Sequence, residues 1–162
     1  MRPTFFLIAL IVVAGCGDRE PTTRLSPAAR NRLLGDRYLA ENAKREGVVA
    51  LPSKMQYRVL KQGDGARPTM SDVVTFHYRG TTIDGREFET SRDLSQSAVT
   101  LPMRNLIRGW QEGLQLMASG SIYEFVIPGH LAYGVQGEPP KIEPNQCLVF
   151  TVELIGVNLP AP

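Results

Sequence analysis

Chemistry-bearing residue types are scarce in this 162-residue chain, and the usual catalytic motifs are missing. There are two histidines, His77 and His130, too few for a histidine-rich metal site. Two cysteines, Cys16 and Cys147, lie far apart, and neither an HExxH nor a paired CxxC spacing occurs. No GxxxxGK loop is present to cradle phosphates. Residue counts leave a Ser-His-Asp triad open, but no GxSxG elbow supports one. Neither sign of charge dominates: the net charge is +2, and nothing points to nucleic acid. Long hydrophobic runs are also lacking. Phe5 to Val13 falls short of the roughly 20 apolar residues that span a bilayer. The length allows one domain and an appendage.

Against these absences stands Leu106-Ile107-Arg108-Gly109-Trp110-Gln111-Glu112-Gly113-Leu114-Gln115-Leu116-Met117. Ile107, Trp110, Leu114 and Met117 recur at three- and four-residue steps, the apolar stripe of a short helix. Trp110 is the single tryptophan, and Gly109 and Gly113 flank it. Glycines here cost about 1 kcal/mol each against alanine. They also remove side chains beside the indole, so that its face is open to close approach. Taken alone, the stretch reads either as a core helix with a packed tryptophan or as the floor of a pocket.

The N-terminus reads as a leader. Arg2 is a minimal charged region, Phe5 to Val13 the apolar region, and Val13-Ala14-Gly15-Cys16 resembles a bacterial lipobox, in which the cysteine is acylated and becomes the mature N-terminus. An ordinary signal peptide with an incidental cysteine is the alternative. Acylation of Cys16 leaves Cys147 a lone core thiol. Several acyl chains, at about 0.8 kcal/mol per buried methylene, anchor stably. Gly17 directly after Cys16 resembles outer-membrane sorting in an organism with two membranes. The expected location is therefore exported and lipid-anchored, at the outer membrane facing the periplasm. The expected organisation is a lipoprotein signal peptide over 1–15, a flexible tether over 16–25, an N-terminal helix and connection over 26–54, and a domain over 55–162.

Ser26 suits a helix N-cap and Pro27 the first helical position. Leu34, Tyr38 and Leu39 give a narrow stripe that Gly35 weakens. Lys44 and Arg45 fit the last turn, and Gly47 can close it. Packing on the domain edge and pairing with a second copy are both open. From residue 55 the pattern changes to period two. Met55 to Lys61 alternates, as does Val74 to Gly80, which places Val74, Phe76 and Tyr78 on one face. Asp84-Gly85 is a hairpin signal, with Arg86 to Thr90 returning. Short strands are expected at Val99 to Leu101, Ile122 to Ile127 and Cys147 to Val157, and Gly120 is expected to end the Trp110 helix region. A sheet with one buried face must cover it, and the Trp110 helix is the candidate cover. The fold class is α+β: a curved antiparallel sheet of about five strands around a short central helix, preceded by an N-terminal helix.

These residues resemble the FKBP-type peptidyl-prolyl isomerases. The matching segments are Val74-Thr75-Phe76-His77-Tyr78-Arg79-Gly80, Asp84-Gly85-Arg86-Glu87-Phe88, Ser91-Arg92-Asp93, Ile107-Arg108-Gly109-Trp110, Leu131-Ala132-Tyr133-Gly134 and Leu148-Val149-Phe150-Thr151-Val152-Glu153-Leu154. They keep the family's order and spacing over roughly residues 55 to 157. Glu41-Asn42 through Gly47-Val48-Val49 and Leu51-Pro52-Ser53 further resembles the macrophage-infectivity-potentiator branch. That branch usually carries a longer N-terminal dimerisation region, for which too little chain is expected here.

The resemblance implies site roles. Tyr78, Phe88, Leu106, Ile107, Trp110 and Phe150 match positions lining a proline pocket, with Trp110 as its floor. Tyr133 matches a tyrosine whose hydroxyl bonds the bound peptide or a macrolide inhibitor. Ile107 matches a backbone N–H donor to a ligand carbonyl, and Ile142 an apolar contact on the loop over the pocket. Glu89 stands where the family commonly has aspartate. Ser97 or Ala98 stands near a common phenylalanine, in a loop one residue shorter, and Lys141 replaces an apolar residue beside Ile142. The implied partners are proline-containing polypeptides, macrolides and, through the anchor, a membrane. No cofactor and no nucleic acid are implied. A non-catalytic polypeptide-binding chaperone or partner-binding module with the same pocket is the competing expectation.

Overall fold

The computed structural model describes residues 25–91 and 98–159. It begins with helix α1, Pro27–Asn42. Ser26 accepts the Ala29 N–H at 3.3 Å and Pro27 opens the helix, as the sequence predicts. The helix stops earlier than expected, at Asn42. Lys44, Arg45 and Val48 then make three-residue backbone bonds to Glu41, Asn42 and Arg45, and Gly47 turns the chain with φ +76°. Lys44 and Arg45 therefore follow the helix.

Among the described residues, seven strands form one antiparallel sheet: β1 Val48–Ala50, β2 Gln56–Lys61, β3 Val73–Thr82, β4 Glu87–Thr90, β5 Val99–Pro102, β6 Ile122–Ile127 and β7 Leu148–Val157. The order is β1-β2-β6-β7-β3-β4, and β5 pairs with β3. The edge of β3 is shared: its first half pairs with β5, from Val73 opposite Pro102 to Phe76 opposite Val99, and its second half with β4. The count exceeds the expected five partly because β1 is only three residues long and shows no alternation to read.

Helix α2, Arg108–Leu114, is seven residues long and ends well before Gly120. It covers one face of the sheet. Gly109 and Gly113 explain how closely: a Cβ on Gly109 would lie 2.5 Å from Ile127, and one on Gly113 2.7 Å from Phe125 and 2.6 Å from Met55. The glycines thus seat the helix on β6, rather than clearing space over the indole. Leu114, Met117, Phe76, Phe125, Ile127, Leu148, Val152 and Leu154 complete the core on this face. Helix α1 packs elsewhere, where Leu39 meets Val126 and Cys147 in a separate small cluster. Gly35 lies over Cys147, whose Cβ would be 2.9 Å from an added methyl. Asn42 donates to Gln56 Oε1 at 2.8 Å, and Gln56 Nε2 donates to the Leu39 carbonyl at 2.8 Å. The domain-edge packing is the one present in this chain.

Candidate active site

Trp110 sits on the first turn of α2 and is 4 % exposed. Three rings from the sheet meet it edge-on. Phe76 lies at 4.9 Å, Tyr78 at 5.3 Å and Phe150 at 5.4 Å between centroids. Phe88 of β4 stands perpendicular to Phe150 at 5.7 Å. Edge-to-face pairs of this kind contribute about 0.5–1.5 kcal/mol each beyond area burial. Alternation brings them together: Phe76 and Tyr78 project to the same side of β3, and Phe150 lies opposite Gly80 on β7. Gly80 makes room, since a Cβ there would be 2.6 Å from Phe88 and 2.9 Å from Phe150.

The remaining predicted residues gather around this cluster. Leu106, Ile107 and Tyr133 are half-buried against it, and Ile142 is 1 % exposed within it. Ile107 is the N-cap of α2, so its N–H lies outside the helical ladder. Glu89 is half-buried on β4, close enough to the Tyr78 hydroxyl for its carboxylate to act on it. Burial first, then the nearby Glu89 carboxylate, raise the Tyr78 pKa well above its ordinary value. Burial likewise pushes Tyr133 up to about 12, with the charges of Glu138 and Glu89 adding to it. Both hydroxyls are therefore protonated donors at neutral pH. Lys141 is exposed, and its carbonyl accepts from Arg86 Nη2 at 3.2 Å. Of the two positions near the expected phenylalanine, Ala98 is half-buried and Ser97 lies outside the described residues, as does Cys16.

Three polar residues escape the sequence reading. Gln111 Nε2 donates to the Leu106 carbonyl at 2.7 Å and fixes the approach to Ile107. Ser91, 5 % exposed, accepts the Tyr78 N–H on its hydroxyl at 3.0 Å and bonds His77 Nδ1 at 3.1 Å. The Glu138 carboxylate lies near the Tyr133 hydroxyl and helps raise its pKa. Single polar side chains carry no periodic signal, so only the matched Ser91-Arg92-Asp93 segment hinted at one of them. Among the described residues, no group of three or more His, Cys, Asp or Glu is arranged to hold a metal ion.

An antiparallel sheet is thus covered by one short helix, with ring edges surrounding a single indole and two phenol hydroxyls close by. A family model described as FKBP-type peptidyl-prolyl cis-trans isomerase matches residues 65–155, and the chain belongs to that family. A second model, the domain amino terminal to FKBP-type peptidyl-prolyl isomerase, matches residues 19–59. The FKBP-type peptidyl-prolyl cis-trans isomerase FkpA of Aeromonas hydrophila is 46% identical over 83% of this chain and 49% of its own length. The outer membrane protein MIP of Legionella longbeachae is 41% identical over 81% of this chain and 56% of its own. The crystal structure of FkpA from Escherichia coli superposes with a TM-score of 0.76 at 40% identity, covering 83% of this chain and 62% of that one. The chain thus spans about half the length of the curated relatives it matches.

Proposed function

We propose that the protein is a peptidyl-prolyl cis-trans isomerase acting on X-Pro bonds of folding polypeptides outside the cytoplasm. The observation that carries this reading is Trp110 ringed by the edges of Phe76, Tyr78 and Phe150, with protonated tyrosines beside it. Rotation about a peptide bond faces about 18–20 kcal/mol because the C–N bond has double-bond character. The planar amide is the more dipolar form. A dry aromatic pocket withholds water from its carbonyl and favours the twisted geometry. Trp110, Phe88, Tyr78 and Phe150 provide that wall, and Leu106 and Ile142 extend it. The Ile107 N–H and the Tyr133 hydroxyl hold the flanking backbone. Each tenfold of rate needs about 1.4 kcal/mol of selective stabilisation, so a few such contacts suffice. Macrolides of the kind that fill such pockets are the expected inhibitors. The direct test measures isomerisation of a proline tetrapeptide beside suppression of aggregation of an unfolded protein. Catalysis that a macrolide abolishes is expected. Aggregation suppression without any catalysis would replace the enzyme with a binding module.

The same proposal extends to location. The sequence at Val13-Ala14-Gly15-Cys16 and the likeness to an outer membrane protein support export and lipid anchoring at Cys16. Among the described residues no helix is long and apolar enough to cross a membrane. Cys16→Ser is expected to leave the domain folded and release it into the soluble fraction, because acyl chains dominate the membrane affinity. Firm membrane association of the variant would sink the anchor.

A further inference from the structure

The early turns of α1 reach the loop that carries Ile142. Asn31, 8 % exposed, donates both hydrogens of its amide: one to Glu143 Oε2 at 2.8 Å, the other to the Pro144 carbonyl at 3.0 Å. Arg30 Nη2 reaches the same Oε2 at 3.1 Å. Both Arg30 and Glu143 are well exposed in that ion pair, so solvent screens it and the buried amide dominates. The Asn31 hydrogen bond, with Arg30 beside it, holds the Glu143 carboxyl below the usual carboxylate range.

Glu143 directly follows Ile142, and the loop is internally stiff around that point. Glu138 and Ile142 exchange backbone hydrogen bonds of 2.8 and 2.9 Å, and Asn145 donates to the Gly134 carbonyl at 2.7 Å. Glu143 N–H donates to Gln146 Oε1 at 2.9 Å. A stiff loop tied from α1 at Glu143 and Pro144, and from Arg86 at the Lys141 carbonyl, loosens as a unit when the α1 tie is released. Ile142 sits in the aromatic cluster and Tyr133 at the loop's other end.

We propose that Asn31 is a positioning residue for the pocket: through Glu143 and Pro144 it sets where Ile142 stands against the aromatic cluster, so that docking of α1 tunes ligand binding. The consequence for turnover rests on the isomerase reading, while the brace itself does not.

The test uses full-length protein and compares Asn31→Ala, Glu143→Ala, the double variant and Glu143→Gln. Amide exchange in segment 138–146 is expected to rise at least about tenfold in Asn31→Ala, the scale of its two lost hydrogen bonds, with β6 and β7 unchanged. KM for a proline tetrapeptide rises about three- to tenfold with kcat nearly constant, because the loss falls on ligand contact. The double variant is no worse than Asn31→Ala, which has already lost the bonds to both Glu143 and Pro144. Glu143→Gln, which still accepts from Asn31, keeps parental kinetics. Thiol labelling of Cys147, followed on its own peptide, reports separately on α1, because that thiol is buried beneath Gly35. It should stay protected. Unchanged exchange in 138–146 overturns the brace, whether or not the protein isomerises. Rapid Cys147 labelling in Asn31→Ala overturns it too, since the helix has then simply come away. Increased loop exchange in Asn31→Ala, with a parent that shows no isomerisation, supports the brace and sinks the enzyme reading alone.

Discussion

Trp110 is where packing and ligand contact compete for one side chain. Its indole is almost fully buried, yet it is met by ring edges on three sides. Truncating such a residue to alanine costs about 3–5 kcal/mol, which would confuse lost fold with lost function. Trp110→Leu is the cleaner probe: it keeps the helix stripe and much of the apolar contact. It is expected to lower the urea midpoint modestly and to weaken macrolide binding by well over tenfold, read by titration calorimetry. Undiminished affinity in that variant would remove the indole from the pocket. Glu89 poses the opposite question, because a desolvation mechanism asks no proton transfer of its carboxylate. It lies beside the Tyr78 hydroxyl, a neighbour that the amide oxygen of glutamine can equally accept from. Glu89→Gln is therefore expected to retain most of kcat/KM, and Glu89→Asp to match or slightly exceed the parent. Loss of turnover in a folded Glu89→Gln protein would make the carboxylate chemically necessary. Phe76, Tyr78 and Trp110 were legible from alternation on a strand and three-to-four spacing on a helix, whereas Phe88, Phe150 and Tyr133 came in only through the family resemblance. Gln111, Ser91 and Glu138 were not legible, because each acts through side-chain neighbours that only tertiary structure brings into reach.

Among the elements, α1 shows most clearly what sequence patterns hold and what they hide. Its start was legible from Ser26-Pro27, and its weak stripe pointed to edge packing or to a second copy. The end at Asn42 was not, because it depends on the Gln56 side chain 14 residues further along the chain. β1 escaped notice for a related reason: three residues form a strand only because β2 lies beside them. α2 was read too long, since Met117 continues the apolar stripe into the core after the helix itself has ended. Gly35 looked like a defect in α1 and is instead the point of closest approach to the sheet. Alanine there gains about 1 kcal/mol of helix propensity. Against this, overpacking costs about 1–3 kcal/mol where neither partner can swing aside. The clash at 2.9 Å is between two Cβ atoms, which have no rotamer to change, so the second term wins. Gly35→Ala is expected to destabilise by about 1–2 kcal/mol in urea unfolding. It should also speed thiol labelling of Cys147. A raised midpoint would mean that α1 tolerates displacement far more readily than its contacts suggest.

For the molecule as a whole, Cys147 lies where α1 meets the sheet, beside Leu39 and Val126 and directly before β7. Its titration therefore reports on the fold as a unit. Burial pushes the thiol from 9.0 up to about 12, with the Asp36 charge adding to the rise. The sign of the effect follows from comparing folded and unfolded chains. Below pH 9 the thiol is protonated in both, and its contribution to stability is fully present. Above pH 9 the unfolded chain ionises while the folded chain does not, so stability falls by up to about 1.4 kcal/mol per pH unit as the folded value is approached. Tyr78 and Tyr133, also raised, join only from their ordinary value of 10.0 upward. The interval from pH 9 to 10 thus isolates the cysteine. Urea midpoints of the parent are expected to hold steady to pH 9 and then decline. Cys147→Ala should start lower at neutral pH, because it leaves a small void, and stay level until pH 10. The two curves converge across that interval. Curves that run parallel from pH 8 to 10 would mean the thiol ionises as freely in the folded chain as in the unfolded one, and that α1 does not seal the sheet at this point.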